Sequence, residues 1–148
     1  MQIRTIAVTV PAPRGTVFHL LADIENLPRW AGSYCERIGL ERGRWWALTT
    51  EGEQVLELEA HAAAGVVDLR AGPAPDRLTP TPLRVLALSA RRTLVTLTVV
   101  ETPDQSVEAF ERRYQLWCEV AEGLRRRFCG GEIHGTETAL SFAEPGLN

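Results

Sequence analysis

The sequence predicts an α+β fold: an antiparallel β-sheet packed against one long C-terminal helix, with two short helices after the first strand. Three observations point there. Phe110, Tyr114, Trp117, Ala121, Leu124 and Phe128 fall three or four apart, so residues 106 to 128 make a helix of about six turns with one apolar stripe. Residues 38 to 69 alternate with period two between turn signals, as a meander of half-buried strands does. Ahead of them, an alternating N-terminal strand runs into a helical stretch bounded by prolines.

In residues 3 to 10, Ile6, Val8 and Val10 lie on one side and Thr5, Ala7 and Thr9 on the other. Pro11-Ala12-Pro13 ends that strand. The first helix follows, with Pro13 tolerated in its opening turn, Val17, Phe18, Leu20 and Leu21 on its apolar side and Asp23 near its end. A second helical piece from Ile24 to Trp30 is interrupted by Pro28, so the two helices meet at an angle.

The meander can be tested for register. A turn at Arg42-Gly43 sets Leu40 against Trp45 and Ile38 against Ala47. A turn at Glu51-Gly52 sets Ala47 against Leu56 and Trp45 against Leu58, and one at Ala63-Ala64 sets Ala60 against Val67 and Leu58 against Leu69. All of these then share one apolar face, which a slip of one residue would scramble. The opposite face carries Arg37, Trp46, Glu57, Glu59, His61, Asp68 and Arg70, with Glu59 facing Asp68 and Arg70 diagonal to Glu59 to relieve the like charges.

Pro73, Pro75, Pro80 and Pro82 predict a loop from Ala71 to Leu83. Two further strands, Leu83 to Ser89 and Leu94 to Val100, then place Leu86, Leu88, Val95, Leu97 and Val99 inward together with Arg84. Thr102-Pro103-Asp104-Gln105 and Ser106 each supply an N-cap signal for the long helix, and Gly130-Gly131 supplies its stop. Residues 132 to 148 read as a polar tail, so the domain is expected to occupy 1 to 131.

With 148 residues the chain suits one domain, burying roughly 70% of its unfolded surface. A composition 45% hydrophobic and 24% charged, with net charge −3, fits a soluble globular protein and argues against a nucleic-acid partner. All 16 basic residues are arginines, and the one run, Arg125 to Arg127, complements the carbonyl end of the long helix. Three cysteines, Cys35, Cys118 and Cys129, without a C-x-x-C pair suggest neither a disulfide framework nor a zinc site. The absence of a leader pattern or a long apolar run leads to an expectation of a cytoplasmic protein with no integral membrane segment.

Thr9-Val10-Pro11-Ala12-Pro13, Val17-Phe18, Leu21-Ala22-Asp23, Glu25-Asn26-Leu27-Pro28, Trp30, Pro82-Leu83-Arg84-Val85 and the long helix together resemble the START-like helix-grip (SRPBCC) superfamily, within it the polyketide cyclase/dehydrase and lipid-transport group. The resemblance covers about residues 3 to 129. It implies a curved sheet gripping the helix, a hydrophobic pocket between them and an entrance near the short helices. The group includes transporters, sensors and cyclases, and no catalytic signature carries over.

His19, His61 and His134 are far apart, and no nucleophile, phosphate-loop or metal-ligand spacing occurs, so no cofactor or metal is expected. Trp45 on the inner sheet face and Tyr114 and Trp117 on the helical stripe are the aromatic pocket candidates, with Leu58 and Leu69 beside them and Trp30 at the entrance. Arg84, on an apolar face, needs a carboxylate, the sheet edge or a polar ligand group. The expected partner is a small hydrophobic molecule oriented by Arg84 and Tyr114. A cyclase, aromatase or dehydratase is the alternative, a protein-contact module using Trp46 the second alternative, and a homodimer is possible.

Overall fold

The computed structural model describes residues 1–129. Strand β1 (Ile3–Val10) leads into helix α1 (Arg14–Ala22), a single 3-10 turn (Ile24–Asn26) and helix α2 (Leu27–Trp30). Six strands follow, β2 (Cys35–Glu41), β3 (Arg44–Thr49), β4 (Gly52–His61), β5 (Val66–Gly72), β6 (Thr79–Ser89) and β7 (Arg92–Val100), and then helix α3 (Val107–Cys129). The seven strands form one antiparallel sheet in the order β1-β7-β6-β5-β4-β3-β2. Strands β1 and β2 are thus opposite edges, and the short helices make the connection between them.

One face of the sheet carries the core. Ile6, Val10, Leu56, Val67, Leu69, Leu83, Val85, Val95, Leu97 and Val99 are buried there, beneath Phe110, Trp117, Val120, Ala121 and Leu124 of α3 and Val17, Phe18, Leu21, Leu27 and Trp30 of the short helices. Helix α3 packs chiefly on β1, and also on β7 and α2, whereas α1 reaches β4, β6 and β7. This division leaves the inner face of β3 and β4 to be roofed from the side of the short helices.

The first hairpin has the expected register, Leu40 opposite Trp45 and Ile38 opposite Ala47, through an Arg42-Gly43 turn with φ of 53° and 76°. The next is displaced by two residues. Thr49 pairs with Gly52 and Trp45 with Leu56, because the turn is Thr50-Glu51 rather than Glu51-Gly52. Thr49 fixes it: its hydroxyl donates to the Gly52 carbonyl at 2.9 Å and accepts the Glu51 N–H at 3.0 Å. An even displacement preserves the face, so the inward set survives. The β4–β5 register is as expected, with Ala60 opposite Val67 and Leu58 opposite Leu69.

Strand β6 corrects the sequence reading. It starts at Thr79 and includes Pro80 and Pro82, so the expected loop is shorter. Val85 gives its N–H to the Gly65 carbonyl on the β5 side at 2.8 Å. Residues of the other parity, both prolines among them, therefore turn their nitrogens toward β7, which pairs with β6 only from Leu83 onward. No ladder bond is lost. The inward parity is also reversed: Thr79, Thr81, Leu83 and Val85 are buried, while Leu86 and Leu88 are about half exposed at 50% and 53%. A bulge between Ala87 and Ser89 adds the residue that changes the parity.

On the outer face Arg84 meets Asp68 at 2.9 Å, and Arg70 reaches Glu59 at 3.4 Å, so both members of the Glu59/Asp68 pair have a cation. His61 bonds Glu59 at 3.1 Å. Trp46 lies over Gly39, where a Cβ would collide with its ring, and the Arg37 guanidinium lies 5.8 Å from the centre of that ring. At the start of α3 the Ser106 hydroxyl accepts the Ala109 N–H at 3.1 Å, and the Thr102 to Gln105 signal instead closes a turn, Gln105 accepting the Thr102 N–H at 3.0 Å. The Gly130-Gly131 stop and the 132 to 148 tail lie outside the described residues. Among those described, no helix is long and apolar enough to cross a membrane.

Candidate functional site

A cleft of about 630 Å³ opens where α1 ends above the sheet. His19, Ala22, Asp23 and Ile24 form its helical wall, and Trp45 and Leu58 its floor. Local sequence explains the wall. Asp23 leaves helical geometry and its carboxylate accepts the Glu25 N–H at 3.0 Å, which starts the 3-10 turn and swings Ile24 toward the sheet. The floor follows from register: Leu56 lies between the two, opposite Trp45 on β3 and two residues from Leu58 on β4. Leu56 is buried, whereas Trp45 and Leu58 keep part of their surface in the cleft.

The other residues that the sequence singles out are distributed differently. Trp30, Leu69 and Trp117 are core residues, Trp117 being 1% exposed with its ring 4.8 Å from that of Tyr34. Tyr114 is half-buried on the β1 side, its ring covered by the Arg4 guanidinium at 3.6 Å, and the neighbouring Cys118 raises its pKa. Neither Tyr114 nor Trp117 lines the cleft. Arg84 faces outward in its pair with Asp68 and cannot orient a molecule on the inner face, because the β6 bulge has reversed its side. The expectation that it faces inward is therefore corrected. His19, Ala22, Asp23 and Ile24 were not anticipated as cleft residues; their common position comes from the docking of α1 on the sheet.

A second feature missed from the sequence is polar and lies deeper. Arg113 is 7% exposed; its NH1 donates to the Val100 carbonyl at 2.6 Å, and its Nε lies 3.3 Å from a Glu51 carboxylate oxygen, too poorly aligned for a hydrogen bond. Burial pushes the Tyr34 phenol well above its ordinary value, with the Glu51 charge adding to the effect. Among the described residues the indole N–H groups of Trp30 and Trp117 have no acceptor. The signal for Arg113 was present, since it is three residues after Phe110 and four before Trp117, on the stripe itself.

Beside this cluster a smaller groove of about 470 Å³ is lined by Pro28, Gly32, Tyr34, Cys35, Glu36 and Thr49 among others. Burial pushes the Cys35 thiol up to about 11, which leaves it protonated and unsuited to act as a nucleophile at neutral pH. Among the described residues no group of three or more His, Cys, Asp or Glu side chains could hold a metal ion.

No family model matches the sequence, and no curated protein matches it significantly. Solved structures do. The protein XoxI from Bacillus cereus superimposes with a TM-score of 0.71 at 19% identity, over 86% of this chain and 96% of that one. A START superfamily protein from Mycobacterium smegmatis gives 0.64 at 13% identity, over 88% and 99%. The Zhui aromatase/cyclase from Streptomyces sp. R1128 gives 0.58 at 22% identity, over 88% and 99%. The seven-stranded antiparallel sheet, the long C-terminal helix and the short helices after the first strand are the START-like helix-grip fold, and this chain has it.

Proposed function

We propose that the protein binds a small, largely apolar molecule in the cleft floored by Trp45 and Leu58. The cleft itself carries this reading. Its volume of about 630 Å³ falls within the roughly 300 to 1,000 Å³ typical of small-molecule sites. The floor offers an indole and an isobutyl group whose coverage would contribute about 25 cal/mol per Å² of apolar surface. Solved structures of similar fold include a START superfamily protein and an aromatase/cyclase, names that accord with a small-molecule site.

Native mass spectrometry of freshly purified protein, with identification of anything released on denaturation, tests the reading. A retained small apolar compound that is lost in Trp45→Ala, in protein that circular dichroism shows to be folded, is the expected result. Trp117→Ala is the contrast, since truncating a buried indole costs about 3 to 5 kcal/mol of stability. Retention unaffected by Trp45→Ala would move the site elsewhere.

A cyclase- or dehydratase-type enzyme is the second reading, and His19 on the cleft wall is the observation that favours it. A polyketone turned over by the wild type but only bound by His19→Ala would select it. Equal turnover by the two proteins would discard His19 as the proton-transfer group.

A further inference from the structure

Charge distribution around the cleft narrows the ligand class, an inference that rests on the cleft being the binding site. Of the residues lining it, Asp23 is the one carboxylate, and neither an arginine nor any lysine is among them. Among the described residues the Asp23 side chain accepts one backbone N–H, from Glu25 at 3.0 Å, and that bond leaves acceptor capacity on its two oxygens. Trp45 forms part of the floor, and an indole is the best of the aromatic side chains at holding a cation over its ring face. Arg84, the cation expected from sequence to orient a ligand on the inner face, is committed to Asp68 on the opposite face of the sheet. A carboxylate or phosphate head would enter beside Asp23 with no lining arginine or lysine, and with the His19 imidazole as the one lining side chain able to carry positive charge, to compensate for its lost hydration.

From these observations we infer that the cleft takes a flat aromatic molecule bearing a cationic nitrogen, with its ring against Trp45 and Leu58 and its charge toward Asp23. A fatty-acid or other anionic amphiphile is selected against.

Three bicyclic probes of similar size test this at pH 8 by isothermal titration: N-methylquinolinium, a cation; quinoline, uncharged at this pH; and 2-naphthoate, an anion. The expected order of affinity is cation, neutral, anion, with roughly five- to tenfold between successive probes for a carboxylate near a partly hydrated site. Asp23→Asn should flatten the order by weakening the cation and strengthening the anion. Ala22→Arg, on the helical wall, should reverse it without disturbing the sheet. A flat or reversed order in the wild type, with Trp45→Ala still weakening all three probes, would overturn the charge inference and leave the cleft as the site. Failure of all three to bind, or binding indifferent to both Trp45→Ala and Ala22→Arg, would overturn the cleft reading and this inference with it.

Discussion

Arg113 Nε and Glu51 Oε2 lie 3.3 Å apart, joining the N-terminal half of α3 to the β3–β4 turn, with the arginine side chain 7% exposed and the glutamate 36%. The asymmetry sets the energetics. Removing the accessible partner strands a buried guanidinium, whereas replacing the buried partner by an apolar side chain leaves a carboxylate that water can reach. Glu51→Ala is therefore expected to cost about 2 to 3 kcal/mol and Arg113→Met only about 1 kcal/mol. Urea unfolding with unchanged m-values reads the difference. A larger loss in Arg113→Met would mean that the Val100 carbonyl contact outweighs the ion pair.

The β6 parity gives a sharper contrast. Leu83 is fully buried and Leu86, three residues on, is about half exposed. Leu83→Ala should cost about 3 kcal/mol, while Leu86→Ser and Leu88→Ser should each stay within about 0.5 kcal/mol. The opposite pattern would put the even-numbered residues inside and remove the bulge between Ala87 and Ser89.

What the sequence made legible follows from the kind of constraint involved. The face shared by Trp45, Ala47, Leu56, Leu58, Val67 and Leu69 could be read because period-two alternation tolerates even displacements of register; the β3–β4 pairing differs by two residues from the expected one and the face does not change. A bulge is an odd displacement. Nothing in Ala87-Leu88-Ser89 announces it, so alternation puts Arg84, Leu86 and Leu88 all on the wrong side. The prolines mislead for a related reason: Pro80 and Pro82 exclude a strand hydrogen-bonded on both sides, and the part of β6 that holds them has a partner on one side alone. Within the candidate site, Trp45 and Leu58 are legible from alternation, and their helical partners are not. His19 and Asp23 meet the sheet through the docking angle of α1, a tertiary quantity that no local spacing encodes.

Two glycines with similar backbone angles should respond very differently to alanine. At Gly43, with φ of 76°, an added Cβ would meet open space, whereas at Gly65, φ 67°, it would collide with the Val85 carbonyl oxygen. That carbonyl also accepts the Arg14 guanidinium, which binds Ala62 as well and so holds α1 against the β4–β5 connection. Gly43→Ala should cost about 1 kcal/mol of backbone strain. Gly65→Ala should cost about 3 kcal/mol or more, because carbonyl and clamp must both move. Thermal unfolding of the two variants compares them directly.

Alkaline pH should destabilise the fold through the residues beside the groove. Burial pushes the Cys35 thiol from an ordinary 9.0 up to about 11. Between those values the unfolded chain has released a proton that the folded chain retains, so the unfolded state binds fewer protons and stability falls as pH rises. The contribution is fully present below about pH 9 and is lost through about pH 11, amounting to about 2 to 3 kcal/mol at the upper end. Tyr34, shifted upward from 10.0 mainly by burial, acts in the same sense at higher pH. Urea midpoints at pH 8, 9 and 10 should decline in the wild type, and Cys35→Ala should flatten the part of the decline that precedes ionisation of an unfolded-state tyrosine. An undiminished slope in that variant would assign the alkaline loss to Tyr34 and to the Glu51 charge beside it.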